Sequence, residues 1–93
     1  MAETFESFRE RSLAAGADEA VERRWNPGQV AETHTHPFTA DAVIAEGEMW
    51  LTLGGETRHL RVGDTFHIDA GTPHAEKYGV NGAVYWVARR NGR

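Results

Sequence analysis

Two periodicities divide the chain. Over residues 3–15 the apolar side chains Phe5, Phe8 and Leu13 fall on one side of a helical pattern with few breakers, which predicts a short helix that packs on the rest of the molecule and ends near Gly16. After Ala20 the period changes. Apolar residues alternate with polar ones in short runs bounded by glycine, proline and aspartate, and the pattern predicts strands over 21–25, 30–34, 41–46, 49–53, 57–61, 65–68, 74–78 and 83–88. Gly54-Gly55 is a tight-hairpin signal, and Gly79 to Gly82 reads as a further reversal. About eight short strands with no helix between them indicate an all-β, antiparallel jelly roll. Trp25, Phe38, Trp50, Tyr78, Tyr85 and Trp86 are expected to supply much of its core volume, with Phe38 the best candidate to line a pocket mouth.

Composition narrows the class. Ninety-three residues form one small core at most. A chain of this size buries only about 60–65% of its unfolded surface, so support from association or a metal, and a homodimer, are expected. The chain has no cysteine, hence neither disulfides nor thiolate ligands. The first residues lack the apolar stretch of a secretory signal and no run reaches membrane-spanning length, so no membrane partner and a cytoplasmic location are expected. The net charge of −4 argues against a nucleic-acid surface, and Arg89, Arg90 and Arg93 read as a solvated tail.

Histidine changes the picture more than any of these. His34 and His36 form a His-x-His pair at the end of a predicted strand, where alternate side chains share a face and aim two imidazoles into one space. A third, His74, follows the turn glycines Gly63 and Gly71. Three imidazoles suit a transition ion and leave it open positions. Reversals at Gly28, Gly63 and Gly71 would bring the distant segments together.

The framing resembles the cupin superfamily. Gly28, His34, His36 and Gly47 match its first motif, G-x5-H-x-H-x3,4-E-x6-G, while Gly63, Gly71 and His74 match its second, G-x5-P-x-G-x2-H-x3-N. With 15 residues between Gly47 and Gly63, the chain looks like a small single-domain cupin. The resemblance covers about Trp25 to Val87 and divides the chain into a helical segment, 1–18, and a cupin domain, 19–93. It implies one divalent transition metal ion (Fe, Mn, Ni, Cu, Zn or Co) on His34, His36 and His74.

The departures are as informative. The family's glutamate ligand falls on Ala40 when counted back from Gly47, which turns Asp41 to the opposite face unless a bulge re-aims it. A three-histidine centre then carries two positive charges rather than one, favouring oxygen-rich anions such as enolates or carboxylates. Asp69 replaces the family's proline and Tyr78 its asparagine. Glu76, on the face of His74, is a candidate fourth ligand or general base, against the plainer reading of a rim carboxylate paired with an arginine. With Leu60 and Val62 inward, His59 is expected at the surface; His67, between Phe66 and Ile68, is expected to face away from the core, and Asp64 to shape a turn.

Function is implied only by class. The resemblance points to a metal-dependent enzyme acting on a small oxygenated molecule, as a dioxygenase, isomerase or lyase. A non-catalytic ligand-binding or sensing module and a storage-like domain use the same barrel, and fold alone does not choose among them.

Overall fold

A computed structural model describes residues 3–91. Helix α1 (Phe5–Ala14) opens with a capping box: Thr4 accepts from the Ser7 backbone and Ser7 returns the bond to the Thr4 backbone. Two orphan amides of the first turn are thereby satisfied. Phe5 and Phe8 pack against Trp86, with ring centroids 6.0 and 5.9 Å away, so the helix covers the outer side of the sheet as expected.

Among the described residues there are six strands rather than eight: β1 (Glu19–Trp25), β2 (Val30–His34), β3 (Phe38–Leu53), β4 (Glu56–Arg61), β5 (Thr65–Ile68) and β6 (His74–Asn91). Each of two expected pairs is one long bent strand. Gly47 does not end β3, and Gly79 to Gly82 does not reverse the chain; β6 continues through it. Every pairing is antiparallel. The first part of β3 and the last part of β6 pair with each other and with β5 and β1, while the remaining parts pair with each other and with β4 and β2. β3 and β6 therefore pass from one half of a jelly-roll sandwich to the other.

Bulges make this passage possible, and the side-chain parity records it. Inward residues of β3 are Ala40, Ala42 and Ile44 before the register shifts at Ile44/Glu46 and Gly47/Met49, and Met49 and Leu51 after them. β6 changes likewise from His74, Glu76 and Tyr78 to Ala83, Tyr85 and Val87. An extra residue in a strand flips every later side chain unless the chain also bends. The same parity corrects two expected core residues. Because Met49 and Leu51 point inward, Trp50 lies outward, stacked on His59 at 4.5 Å; because Tyr85 and Val87 point inward, Trp86 lies under α1. Leu60 is buried but Val62 is exposed, since it falls beyond β4 in the turn to β5. Gly54 and Gly55 both take positive φ, as a two-residue hairpin turn requires. Asp64 accepts from the Arg61 amide at 2.8 Å and closes the next turn.

The outer face carries an ion network. Asp41 accepts from His67 Nδ1 at 2.6 Å and from Arg90 at 3.1 Å, and Arg90 also donates to the Ala15 carbonyl at the end of α1. Hydrogen bonds donated to Asp41 and then to Asp69 hold the His67 imidazolium above its ordinary pKa. Its contribution to stability is thus fully present below the unfolded value near 6.5 and is lost as pH rises through the higher folded value. We expect His67→Gln to lower the urea midpoint more at pH 5.5 than at pH 9, by a small amount because the side chain is half exposed. An equal loss at both pH values would contradict this pairing.

Candidate metal centre

His34 ends β2, His36 stands just beyond it, and His74 begins β6 opposite His34 in register. The β2–β3 connection is pinned where it carries His36: the Gly71 amide donates to the His36 carbonyl at 2.8 Å. The glycine of one motif thereby anchors the histidine of the other. Gly71 adopts a φ of 79°, a conformation open to glycine but strained for other residues. The three rings meet with centroids 4.3–4.8 Å apart, and one nitrogen from each lies within 4.8 Å of the others.

The backbone sets the tautomers of two rings. His34 Nδ1 lies 2.6 Å from the Glu32 carbonyl, and His74 Nδ1 lies 2.9 Å from the Thr72 carbonyl. A carbonyl only accepts, so each Nδ1 carries a proton and Nε2 is the nitrogen that each ring turns toward the others. His74 is 2% exposed and its Nε2 has no hydrogen-bond partner. His36 stacks on Phe38, with centroids 4.7 Å apart and planes within 5°, which assigns Phe38 to holding a ring of the cluster. Burial first, and then the charges that His74 and His34 would carry when protonated and those of Arg89 and Arg23, bring the His36 pKa down to about 4, so this ring is neutral near pH 7.

A cavity of about 180 Å³ surrounds the histidines between the two halves of the sandwich. Ala40 is 4% exposed and lines it, whereas Asp41 is engaged on the outer face with His67 and Arg90. The register counted back from Gly47 therefore holds, and the departure from the motif leaves a methyl group in the lining. His67 lies outside this cavity and borders a wider, open groove of about 670 Å³ between α1 and the strands. His59 is also remote, bonded to Glu48 at 2.5 Å.

Glu76 differs from the rim carboxylate of the plainer reading. It is 4% exposed and faces no arginine partner; its Oε2 lies 3.5 Å from His34 Nε2 and 3.7 Å from His74 Nε2. Its Oε1 accepts a very short bond from the Tyr78 hydroxyl, with the Tyr85 hydroxyl at 3.5 Å. Trp25 stacks on Tyr78 at 4.7 Å. Burial, then Tyr85 and Glu76, hold the Tyr78 phenol far above its usual pKa, and burial with Glu76 pushes Tyr85 up to about 12. Both phenols stay protonated through the physiological range and serve the carboxylate as donors.

Arg23 and Arg89 complete the lining. Arg89 is not part of a solvated tail: it bonds Glu19 at 3.1 Å and lies 4.6 Å over the Phe38 ring, while Arg90 is held by Asp41; Arg93 lies outside the described residues. Sequence reasoning missed both arginines as site residues. Their signal was parity, since Val21, Arg23 and Trp25 share one face of β1, as Tyr85, Val87 and Arg89 share one face of β6.

No curated protein matches the chain. Solved structures do. KdgF from Halomonas sp. superposes with a TM-score of 0.72 at 24% identity, over 81% of this chain and 69% of that one. An oxalate decarboxylase from Bacillus subtilis gives 0.72 at 24% identity, over 88% of this chain but 23% of its own. The DMSP lyase DddQ from Ruegeria pomeroyi gives 0.73 at 25%, over 80% of this chain and 38% of the lyase. These likenesses establish the fold. The Cupin domain family model matches residues 21–87, which takes in both histidine motifs and all six strands in whole or part, and the chain belongs to that family.

Proposed function

We propose that the protein is a metal-dependent cupin enzyme acting on a small oxygenated substrate, with one divalent transition ion held by His34, His36 and His74. The observation that carries this reading is the orphaned Nε2 of His74. A lone pair nearly free of solvent and of any hydrogen-bond donor is rare in a folded interior, and here it faces two more imidazoles. The Nδ1 bonds of His34 and His74 to carbonyls are the supporting interactions by which ligating histidines are usually oriented. A neutral, all-nitrogen donor set fits Fe, Mn, Ni, Cu, Zn or Co better than Mg or Ca.

Held by His34, His36 and His74, such an ion would supply Lewis acidity toward a carbonyl or enolate oxygen and, if redox-active, oxygen chemistry. The chain's own residues supply the rest. Glu76 is the proton-handling group, because its carboxylate reaches the histidine end of the cavity while Tyr78 fixes its other oxygen. The apolar walls of Phe66, Ile68 and Val87 exclude water and strengthen each electrostatic contact. Dioxygenase, isomerase and lyase chemistry all fit this arrangement.

The test is turnover of small diketones, phenols and hydroxy or keto acids by metal-loaded protein, with product and oxygen followed together. Metal-dependent turnover that falls at least ~100-fold in Glu76→Gln, with metal still bound, is the expected result. Metal and ligand binding without turnover of any of them would place the protein among binding modules.

A further inference from the structure

Four buried side-chain polar atoms of the described residues have no hydrogen-bond partner: Trp25 Nε1, His36 Nδ1, His74 Nε2 and Arg89 Nε. All four belong to residues that line the cavity of about 180 Å³ around the histidines. Such groups are normally satisfied, and their concentration in one place marks a surface built for something that brings its own polar atoms. The two non-histidine atoms can only donate.

Charge sharpens this. The Arg23 guanidinium lies 4.7 Å over the Trp25 ring, and among the described residues this side chain makes neither an ion pair nor a hydrogen bond. Arg89 spends Nη1 on Glu19 but keeps Nε unused. Stacking on Trp25 and Phe38 fixes both planar groups without consuming their donors. The one carboxylate in the lining, Glu76, sits at the histidine end and is already engaged by Tyr78. The arginine end is thus left with positive charge and free donors, which match the oxygens of a carboxylate. At about 180 Å³ the cavity is smaller than the roughly 300–1,000 Å³ of drug-sized sites, so the occupant has few carbon atoms.

We infer that the substrate is a small carboxylate, its carboxylate bound by Arg23 and Arg89 and its remaining oxygens directed to the three histidines. Only the histidine end of this assignment rests on the metal reading. Calorimetric titration with malonate and with pyruvate, against uncharged malonamide, tests it on metal-free and zinc-loaded protein. Malonate or pyruvate should bind at least ~10-fold more tightly than malonamide, and Arg23→Gln should lower that affinity at least ~10-fold while leaving zinc stoichiometry and the unfolding midpoint unchanged. Arg89→Gln should act in the same direction. Equal binding of malonate and malonamide, no measurable binding of either acid, or affinities indifferent to both arginine variants would overturn the inference even if zinc is bound. Arginine-dependent carboxylate binding by a protein that takes up no metal would uphold it and remove the metal reading instead.

Discussion

His74→Ala is expected to abolish most of the stabilisation that a bound transition ion gives the wild-type protein. A ligand that binds only the folded state stabilises it in proportion to the logarithm of its excess over Kd, about 4 kcal/mol at a thousandfold excess. Removing one of three ligands should weaken binding by more than ~100-fold, a loss of about 2.7 kcal/mol or more of that gain. The metal-free variant should change less, because wild-type His74 contributes one bond to the Thr72 carbonyl and leaves Nε2 unsatisfied. Thermal melts with and without zinc read both quantities. Asp41→Ala should keep the full metal-linked shift, since its carboxylate is bound to His67 and Arg90 on the outer face. A shift retained in His74→Ala, or lost in Asp41→Ala, would place the ion elsewhere.

The second large effect concerns the fold that brings the histidines together. Gly47→Ala should destabilise the protein by at least ~3 kcal/mol, through two causes that add. Gly47 has a φ of 72°, and a Cβ there would overlap the Gly82 carbonyl oxygen and lie 2.9 Å from Ala83 Cα. Both neighbours are backbone, so neither can swing away. Gly54→Asn is the contrast: its φ of 57° is one that asparagine tolerates, and a Cβ there meets nothing within 4 Å. Urea unfolding should give a lower midpoint for Gly47→Ala and a nearly unchanged one for Gly54→Asn. Comparable midpoints for the two variants would mean that the close approach of β3 and β6 at this bend is not what limits stability.

Much of this organisation was legible in the residues. The jelly roll followed from strand-length runs and turn glycines, and the three histidines from their framing by Gly28, Gly63 and Gly71. Ala40 and Asp41 could be told apart because spacing back from Gly47 fixes a register. What could not be read was how the strands continue. A glycine that reverses a chain and one that bends it through a bulge look alike in sequence, and only pairing with a neighbouring strand decides, as at Gly47 and Gly82. Trp50 and Trp86 were misplaced for the same reason, since the bulges set the parity that turns them outward. Glu76 was correctly put on the face of His74, a face that Tyr78 two residues on also shares, but its second partner, Tyr85, meets it across a bulge. Arg23 and Arg89 are distant in sequence and converge only when β1 pairs with β6.

The most direct test of the three-histidine centre is elemental analysis of untagged protein, equilibrated with a mixture of divalent Fe, Mn, Co, Ni, Cu and Zn and then desalted. Close to one equivalent of transition metal per chain in the wild type, and almost none in the His34→Ala, His36→Ala and His74→Ala variants, is the predicted result. A metal-free wild type, or stoichiometry unchanged in all three variants, would contradict the account.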